Sequence, residues 1–478
     1  MQHIPILRAG QAYKSLAVNR VPHFKTGETV VEVSQANRGL ISRDFMQAAK
    51  NQEILRELTV EELLAICAKA ADIFENDALP LGDDDQTPEQ YVEQLSSTTG
   101  MPMSLCRMNM SKITGVLRQM REVLRGLTRG LDLSILDHGW HKNNGSTLSF
   151  SSLSKVLGAI LPSNSPGVHS LWLPAIPLKT PLVLKPGAQE PWSPFRLAQA
   201  FIAAGCPKEA FSFYPTDHGG ATEILLKSGR SMLFGDKNTV QPWLSNPGVE
   251  IHGPGWSKII IGEDKIDDWE DYLDLMVKSV TANGGRSCIN ASGVWVPKYG
   301  REIAEALAER IAKIVARPMD DPQAAIAAFP NKEFAKMLSE AIDGQLADGK
   351  ATDLTLKHRG TERQVEVDDC AFVQPTVVWC ENHDHPLAQS EYLFPFVAVV
   401  ETPQEELLQN MGYSLIATAI TEDQKFIDEL LSSPNVDRLN IGEIPTVQIS
   451  WDQPHEGNLF EHLYRQRSLQ IAKEHSLA

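Results

Sequence analysis

The 478-residue chain is long enough to bury a full hydrophobic core without disulfide or metal staples, and its length suggests about three domains, or two large ones. Its 42% hydrophobic and 22% charged fractions are those of a globular protein, and a formal charge of −17 argues against binding nucleic acid or an acidic membrane. No uninterrupted apolar run approaches the ~18 residues of a membrane span, and Met1-Gln-His-Ile-Pro5 lacks a basic, apolar signal.

Residues 38–75 and 103–130 carry apolar positions three and four apart, which predicts amphipathic helices. Between them, 79–100, with Leu81-Gly-Asp-Asp-Asp-Gln86, reads as a polar surface loop. Residues 133–154 predict strand, turn, strand around Lys142-Asn-Asn-Gly-Ser146. From 156 to 262, short apolar strands alternate with helical patterns, as βαβ units require, so the expected class is α/β. Helices at 267–282 and 299–316 bracket a loop and strand that carry Cys288. The tail from 441 to 478, with Arg465-Gln-Arg467, is expected to make surface or subunit contacts. There is no repeat or low-complexity segment. The six cysteines (67, 106, 206, 288, 370 and 380) contain no Cys-x-x-Cys pair, so neither zinc nor a disulfide framework is indicated and a reducing cytoplasm fits. His383-Asp-His385 is too isolated for a metal site and reads as a polar loop.

The informative segment is Thr281-Ala-Asn-Gly-Gly-Arg-Ser-Cys-Ile-Asn-Ala-Ser292, followed by the strand-like Gly293-Val-Trp-Val-Pro297. Small residues before Cys288 let backbone and ligand approach closely, which suits a thiol at the floor of a cleft. A thiol becomes a strong nucleophile when its ordinary pKa of roughly 8.5 is lowered, or when a nearby base takes its proton. An arbitrary cysteine is a small core hydrophobe; these flanks argue otherwise. Four more segments accompany it. Gly158-Ala-Ile-Leu-Pro-Ser-Asn-Ser-Pro166 holds Asn164 between prolines, where its amide is a neutral donor or an ordinary turn residue. Pro181-Leu-Val-Leu-Lys-Pro-Gly187 is an apolar strand that ends at Lys185. Ser231-Met-Leu-Phe-Gly-Asp236 leads a strand into a helix that Asp236 could cap. Ser390-Glu-Tyr-Leu-Phe-Pro-Phe-Val-Ala-Val-Val400 reads as a buried strand.

Together these segments resemble the aldehyde dehydrogenase superfamily, whose cysteine signature usually reads Asn-Gly-Gly-Gln-x-Cys. Gly284, Gly285, Ser287, Cys288, Ile289, Asn290, Ala291 and Ser292 fit it, with Arg286 where glutamine is common. The resemblance covers roughly residues 130–440. It implies a Rossmann-like dinucleotide-binding domain over 1–250, with a β-strand arm near 133–154 that crosses to a partner subunit of a homodimer or homotetramer. It further implies an α/β catalytic domain over 251–440 carrying Cys288, and a C-terminal arm from 441 to 478. By resemblance, Cys288 forms a thioester, and the Asn164 side chain and the Cys288 backbone N–H form the oxyanion hole, where losing one donor costs about 3–4 kcal/mol. Lys185 is implied to touch the adenosine ribose of NAD or NADP, Gly235 to lie in the turn under the pyrophosphate, and Glu391 or Tyr392 to meet the nicotinamide ribose. Members that prefer NAD often place a glutamate three residues after the lysine. Ala188 stands there, which removes a like-charge penalty against a 2′-phosphate and leaves NADP open, although Glu190 lies nearby.

The departure from the family pattern lies in Val249-Glu-Ile-His-Gly-Pro-Gly-Trp-Ser-Lys258. Hydrolytic members carry Glu-Leu-Gly-Gly-Lys here, and that glutamate activates water. Aligned without gaps, His252 takes the glutamate position and Gly255 matches a glycine; Glu250 falls on the same strand face, about 7 Å away. Gly-Pro-Gly is similar to the CoA-acylating branch, which has no catalytic glutamate, and fatty acyl-CoA reductases of the bioluminescence type carry a Gly-Pro pair. Three readings of His252 follow. First, with CoA as co-substrate, a neutral imidazole of ordinary pKa ~6.5 deprotonates a thiol. Second, it serves as the base for water. Third, it packs against the cofactor. An anionic CoA or NADP would rely on local cations such as Lys185, Arg286 and Lys258. Residues 439–446 lack the family's usual Phe-Gly-Gly-x-Lys closure.

Overall fold

The computed structural model describes residues 2–143, 145–455 and 457–472. Two seven-stranded sheets organise it. In the first, five parallel strands run in the spatial order Val249–His252, Gly229–Phe234, Val156–Ile160, Leu182–Lys185, Phe211–Phe213, and Ile6–Arg8 and Gln11–Tyr13 add antiparallel at one edge. Numbered along the chain, that order is the doubly wound 3-2-1-4-5, so a Rossmann-like sheet is present. The sequence makes these strands apolar on both faces because helices cover both: Val156–Ile160 is buried at every position. Gly158 belongs to this packing, since a Cβ there would fall 2.3 Å from Ser228 Oγ on the covering helix side.

In the second sheet, six parallel strands run Thr376–Cys380, Phe396–Glu401, Ala291–Val296, Ser257–Ile261, Ser414–Ile420, Val436–Ile441, with Ala351–Asp353 antiparallel at one edge. The first sheet ends at His252 and the second begins at Ser257, so the chain crosses between them in four residues. Consequently the C-terminal ends of the first sheet's strands face loops at the N-terminal ends of the second's. A three-stranded antiparallel arm combines Trp140–Asn143, Ser146–Ser152 and the C-terminal strand Tyr464–Arg467. Asn144, where the sequence predicts a turn, and tail residues 473–478 lie outside the described residues.

The helices depart from the sequence expectations in identifiable ways. The 38–75 region is three helices, Arg38–Asp44, Ala48–Arg56 and Val60–Asn76, the last opened by a Thr59/Glu62 capping box. The 103–130 region is Met103–Arg118 and Met120–Leu127. The expected loop at 79–100 is instead a hairpin, Leu79–Leu81 with Asp84–Gln86, followed by the helix Pro88–Thr99. Thr87 caps that helix, Gln90 returns the bond, and Pro88 opens it, a start signal outweighed by the acidic run before it. The predicted helix 299–316 is confined to Gly300–Ile311, and that at 267–282 begins as a 3₁₀ segment, with the α-helix at Leu273–Thr281. Among the described residues, no helix is long and apolar enough to cross a membrane, and no three His, Cys, Asp or Glu side chains cluster to hold a metal.

Candidate active site

In a doubly wound sheet, ligands bind beyond the C-terminal strand ends where the strand order reverses. Here that point lies between Val156–Ile160 and Gly229–Phe234, so the crevice is bordered by the segments after them, which carry Asn164 and Gly235. The opposite wall is the cysteine loop. After Leu273–Thr281, the backbone takes the left-handed conformation three times in succession, at Asn283 (φ 54°), Gly284 (φ 65°) and Gly285 (φ 69°). Glycine is required at 285 twice over, because a Cβ would also lie 2.4 Å from Pro395 N.

Side chains pin this loop from several elements. Asn283 accepts from Asn109 Nδ2 (2.7 Å) and donates to Ser165 Oγ (3.0 Å) and Ser287 Oγ (2.9 Å). Asn290 accepts from Ser287 N–H (2.9 Å) and donates to the Ser279 and Ala282 carbonyls (3.0 and 2.9 Å). The Cys288 carbonyl accepts from Ser257 Oγ at 2.8 Å. Behind it, Gly255 packs so closely that a Cβ would sit 2.0 Å from the Cys288 oxygen.

The loop delivers Cys288 half-buried to a cleft of about 460 Å³ whose walls include Asn164, Gly235, His252, Glu391 and Lys112. The other five cysteines are buried, and burial raises each of their pKa values, Cys206 and Cys380 to about 12. Cys288 is thus the thiol with access to a cavity.

Around it, Asn164 Nδ2 donates to the Arg286 carbonyl at 2.9 Å; an amide nitrogen carries a second hydrogen. His252 is buried, its ring stacked on Phe234 at 4.4 Å, and its Nε2 lies 3.0 Å from Glu250 Oε1. Gly235 N–H donates to the His252 carbonyl (3.2 Å), and Asp236 caps the following turn by accepting from Thr239 N–H (2.8 Å). Those two bonds fix the mouth of the crevice.

Seven residues singled out in the sequence stand differently from the way their residue types suggest. Glu391 lines the cleft, but its carboxylate accepts the backbone N–H groups of Gly255 (3.2 Å) and Trp256. Tyr392, the other ribose candidate, packs on Phe394 and Phe396. Lys185 ends its strand beside Ile160, half-buried and with its ammonium pKa lowered by burial, and does not line the Cys288 cleft. Gly255 is a packing position rather than part of the cleft wall. Lys258 is not available to an anionic ligand: it is 1% exposed and donates to the Trp256 carbonyl (2.8 Å), the Tyr413 carbonyl (3.0 Å) and Ser414 Oγ (3.1 Å). Arg286 is buried, donates to the Thr99 carbonyl (3.2 Å) and leaves Nε without a partner. Glu190 is also withdrawn, its carboxylate held by His169 Nε2 (2.8 Å) and Ser193 N–H (2.9 Å).

Sequence reasoning missed Lys112 and His455, both in the cleft wall. Lys112 sits on an amphipathic helix, where a lysine ordinarily means a solvated face. Its only sequence cue is Asn109, a polar residue one turn earlier on the buried side.

An α/β frame that sets a lone accessible thiol opposite a dinucleotide-type crevice defines a class of cysteine-dependent enzyme. The chain belongs to the aldehyde dehydrogenase family, whose pattern it matches over residues 12–458. It is 23% identical over 415 residues to a betaine aldehyde dehydrogenase of Vibrio vulnificus, covering 83% of this chain and 80% of that one. Among solved structures, an aldehyde dehydrogenase from Pseudomonas aeruginosa superposes with a TM-score of 0.79 at 15% identity, over 98% of this chain and 96% of that one. One from Bacillus cereus, solved as its NAD+ complex, does so with a TM-score of 0.77 at 17% identity, over 99% and 97%. At such identities the structural likeness speaks for the fold.

Two predictions follow from the packing. Gly255→Ala inserts a methyl group against the Cys288 carbonyl. It should destabilise the protein by about 1–3 kcal/mol in urea unfolding and slow iodoacetamide alkylation of Cys288 by at least about tenfold. Burial lowers Lys258 from its ordinary 10.5 to about 7. The unfolded chain therefore binds a proton that the folded chain lacks between those values, and stability rises with pH across that window. Wild type should gain stability relative to Lys258→Met as pH increases from about 7 to 10, read as the difference in urea midpoints; a difference constant with pH would refute it.

Proposed function

We propose that this family member is an NAD(P)-dependent aldehyde dehydrogenase that works through a Cys288 thioester and exchanges the acyl group with CoA. The observation that carries the acylating reading is the occupant of position 252: a buried imidazole paired with Glu250, where a water-activating carboxylate would stand. In this reading the Cys288 thiolate adds to the aldehyde carbon, and the carbonyl oxygen becomes an oxyanion. The second Asn164 amide hydrogen and the Cys288 N–H stabilise that charge, worth about 3–4 kcal/mol per donor. When bound, the nicotinamide supplies a hydride acceptor for the aldehyde hydrogen. His252 then takes the proton of the CoA thiol, which displaces Cys288 from the thioester, and Glu250 stabilises the imidazolium. Run backward, the same residues convert an acyl-CoA into an aldehyde.

The crevice fits a dinucleotide. It lies at the strand-order reversal, a glycine at 235 keeps its turn tight, and Lys185 ends the neighbouring strand. Ala188 stands where a ribose-binding glutamate would, and Glu190 is engaged with His169, which supports acceptance of NADP as well as NAD. The Bacillus cereus neighbour's NAD+ complex supports the same cofactor class. Lys185, Gly235 and Glu391 are proposed as cofactor-side residues, Glu391 acting through the backbone it holds. The unpaired outer strand Trp140–Asn143 of the arm supports a homodimer or homotetramer.

A second reading also has an observation in its favour: a histidine oriented by a carboxylate 3.0 Å away can also serve as the base for water. Incubation with an aldehyde and NAD or NADP, with and without CoA, separates the two. A rate that climbs steeply with CoA and yields acyl-CoA supports acyl transfer; an unchanged rate yielding free acid supports hydrolysis. Cys288→Ala should abolish turnover, and Asn164→Ala should lower kcat by about 10²–10³-fold.

A further inference from the structure

Lys112 is a cation in the wall of the cleft that the proposed mechanism does not use. It comes from the helix Met103–Arg118, and its ammonium rests over Gly167, where a Cβ would lie 3.5 Å from Nζ and 3.4 Å from Cδ. The lysine thus lies at ordinary contact distance over Gly167, where a Cβ would instead crowd Asn109 Oδ1 at 2.9 Å. That glycine is held in turn by Asn109, one turn before Lys112, whose Oδ1 accepts the Gly167 N–H at 3.0 Å. Among the described residues no carboxylate pairs with Lys112 and no hydrogen bond engages it, and burial lowers its pKa.

The other charged groups of the cleft wall are already committed. Asp236 is spent on Thr239 N–H, and Glu391 on two backbone N–H groups. Arg286 donates to Thr99, and His252 is coupled to Glu250. His455, on the same wall, feels the charge of Lys112, and its Nδ1 is buried without a partner. Among the described residues the cleft thus contains one uncommitted cation with an unsatisfied imidazole nitrogen near it, and its carboxylates are engaged by backbone N–H donors. A half-buried cation without a counter-charge is costly unless a ligand supplies one.

We propose that the aldehyde this enzyme accepts carries an anionic group, a carboxylate, that Lys112 and His455 bind while the carbonyl meets Cys288. This inference rests on the reading of Cys288 as the nucleophile; it does not depend on whether the acyl group leaves to CoA or to water. Lys112 also feels the charge of Cys288, so a simpler role, lowering the thiol pKa, has to be separated from anion binding.

Alkylation of Cys288 makes that separation without cofactor or turnover. Iodoacetate and iodoacetamide deliver the same carbon to the sulfur and differ in carrying or lacking a carboxylate. Labelling is followed by mass spectrometry of the Cys288 peptide in the full-length chain. In Lys112→Met, the ratio of iodoacetate to iodoacetamide rates should fall by at least about tenfold, and Lys112→Arg should restore most of it. A Lys112→Met ratio equal to wild type, even with a shifted pH profile for both reagents, overturns the proposal in favour of thiol activation. In turnover, the kcat/KM preference for glutarate semialdehyde over pentanal should fall by a similar factor in Lys112→Met, chiefly through KM. Glyceraldehyde 3-phosphate against glyceraldehyde forms the phosphate arm: a larger Lys112-dependent preference there would overturn the carboxylate assignment. Should Lys112→Met fail to fold, Lys112→Gln gives the same readout.

Discussion

The site depends on one close approach, the backbone of Gly255 against the carbonyl of Cys288. No side chain fits between them, since a Cβ would stand 2.0 Å from that oxygen. The contact fixes the depth of the thiol, and it couples the two sheets, because Gly255 belongs to the four-residue crossing and Cys288 to the loop entering Ala291–Val296. Such proximity is possible only because the chain turns left-handed at 283, 284 and 285, a conformation that costs little for glycine and more for Asn283. Asn283 offsets that cost through hydrogen bonds to two other segments, at Asn109 and Ser165, and to Ser287 within its own loop. The Cys288 thiol is therefore positioned by backbone geometry, with side chains acting as pins.

The charges of the region follow a common rule. Carboxylates near the cleft are held by backbone N–H groups or histidines, and the deep cations are held by carbonyls: Lys258 by those of Trp256 and Tyr413, Arg286 by that of Thr99. Each arrangement satisfies a buried charge without placing an opposite ion in the cleft. Lys112 is the departure from the rule.

The parts legible in the sequence are those set by local chemistry. The glycine pair before Cys288, the alternation of strands and helices after residue 156, and the Asp236 cap each express a constraint that acts within a few residues. The parts that were not legible depend on distant partners. Glu391 looks like a ligand-binding carboxylate until the fold brings the Gly255 and Trp256 amides to it across about 135 residues of chain. Lys258 looks like a phosphate contact until the Tyr413 loop covers it. Lys112 reads as solvent-facing because its helix has an exposed face, and nothing in its neighbours' identities announces the space over Gly167. At 79–100 the helix was legible locally, because the Thr87-Pro88-Glu89-Gln90 start signal follows directly on the acidic run that suggests a loop.

The pairing of His252 with Glu250 bears on the fate of the acyl group. Stacking on Phe234 at 4.4 Å and burial restrict the imidazole to a narrow range of positions, and the carboxylate holds one ring nitrogen. A glutamate at 252 would be flexible at three torsions and negatively charged, able to swing toward water and to attract its protons. The imidazole has two torsions, is neutral as a base and becomes charged only after accepting a proton. A thiol ordinarily ionises near 8.5, far closer to the range of an imidazole base than water is. In the proposed acyl transfer, a fixed base of moderate strength would therefore discriminate between the two proton donors by their acidity, and that competition would favour the thiol wherever it can reach the ring.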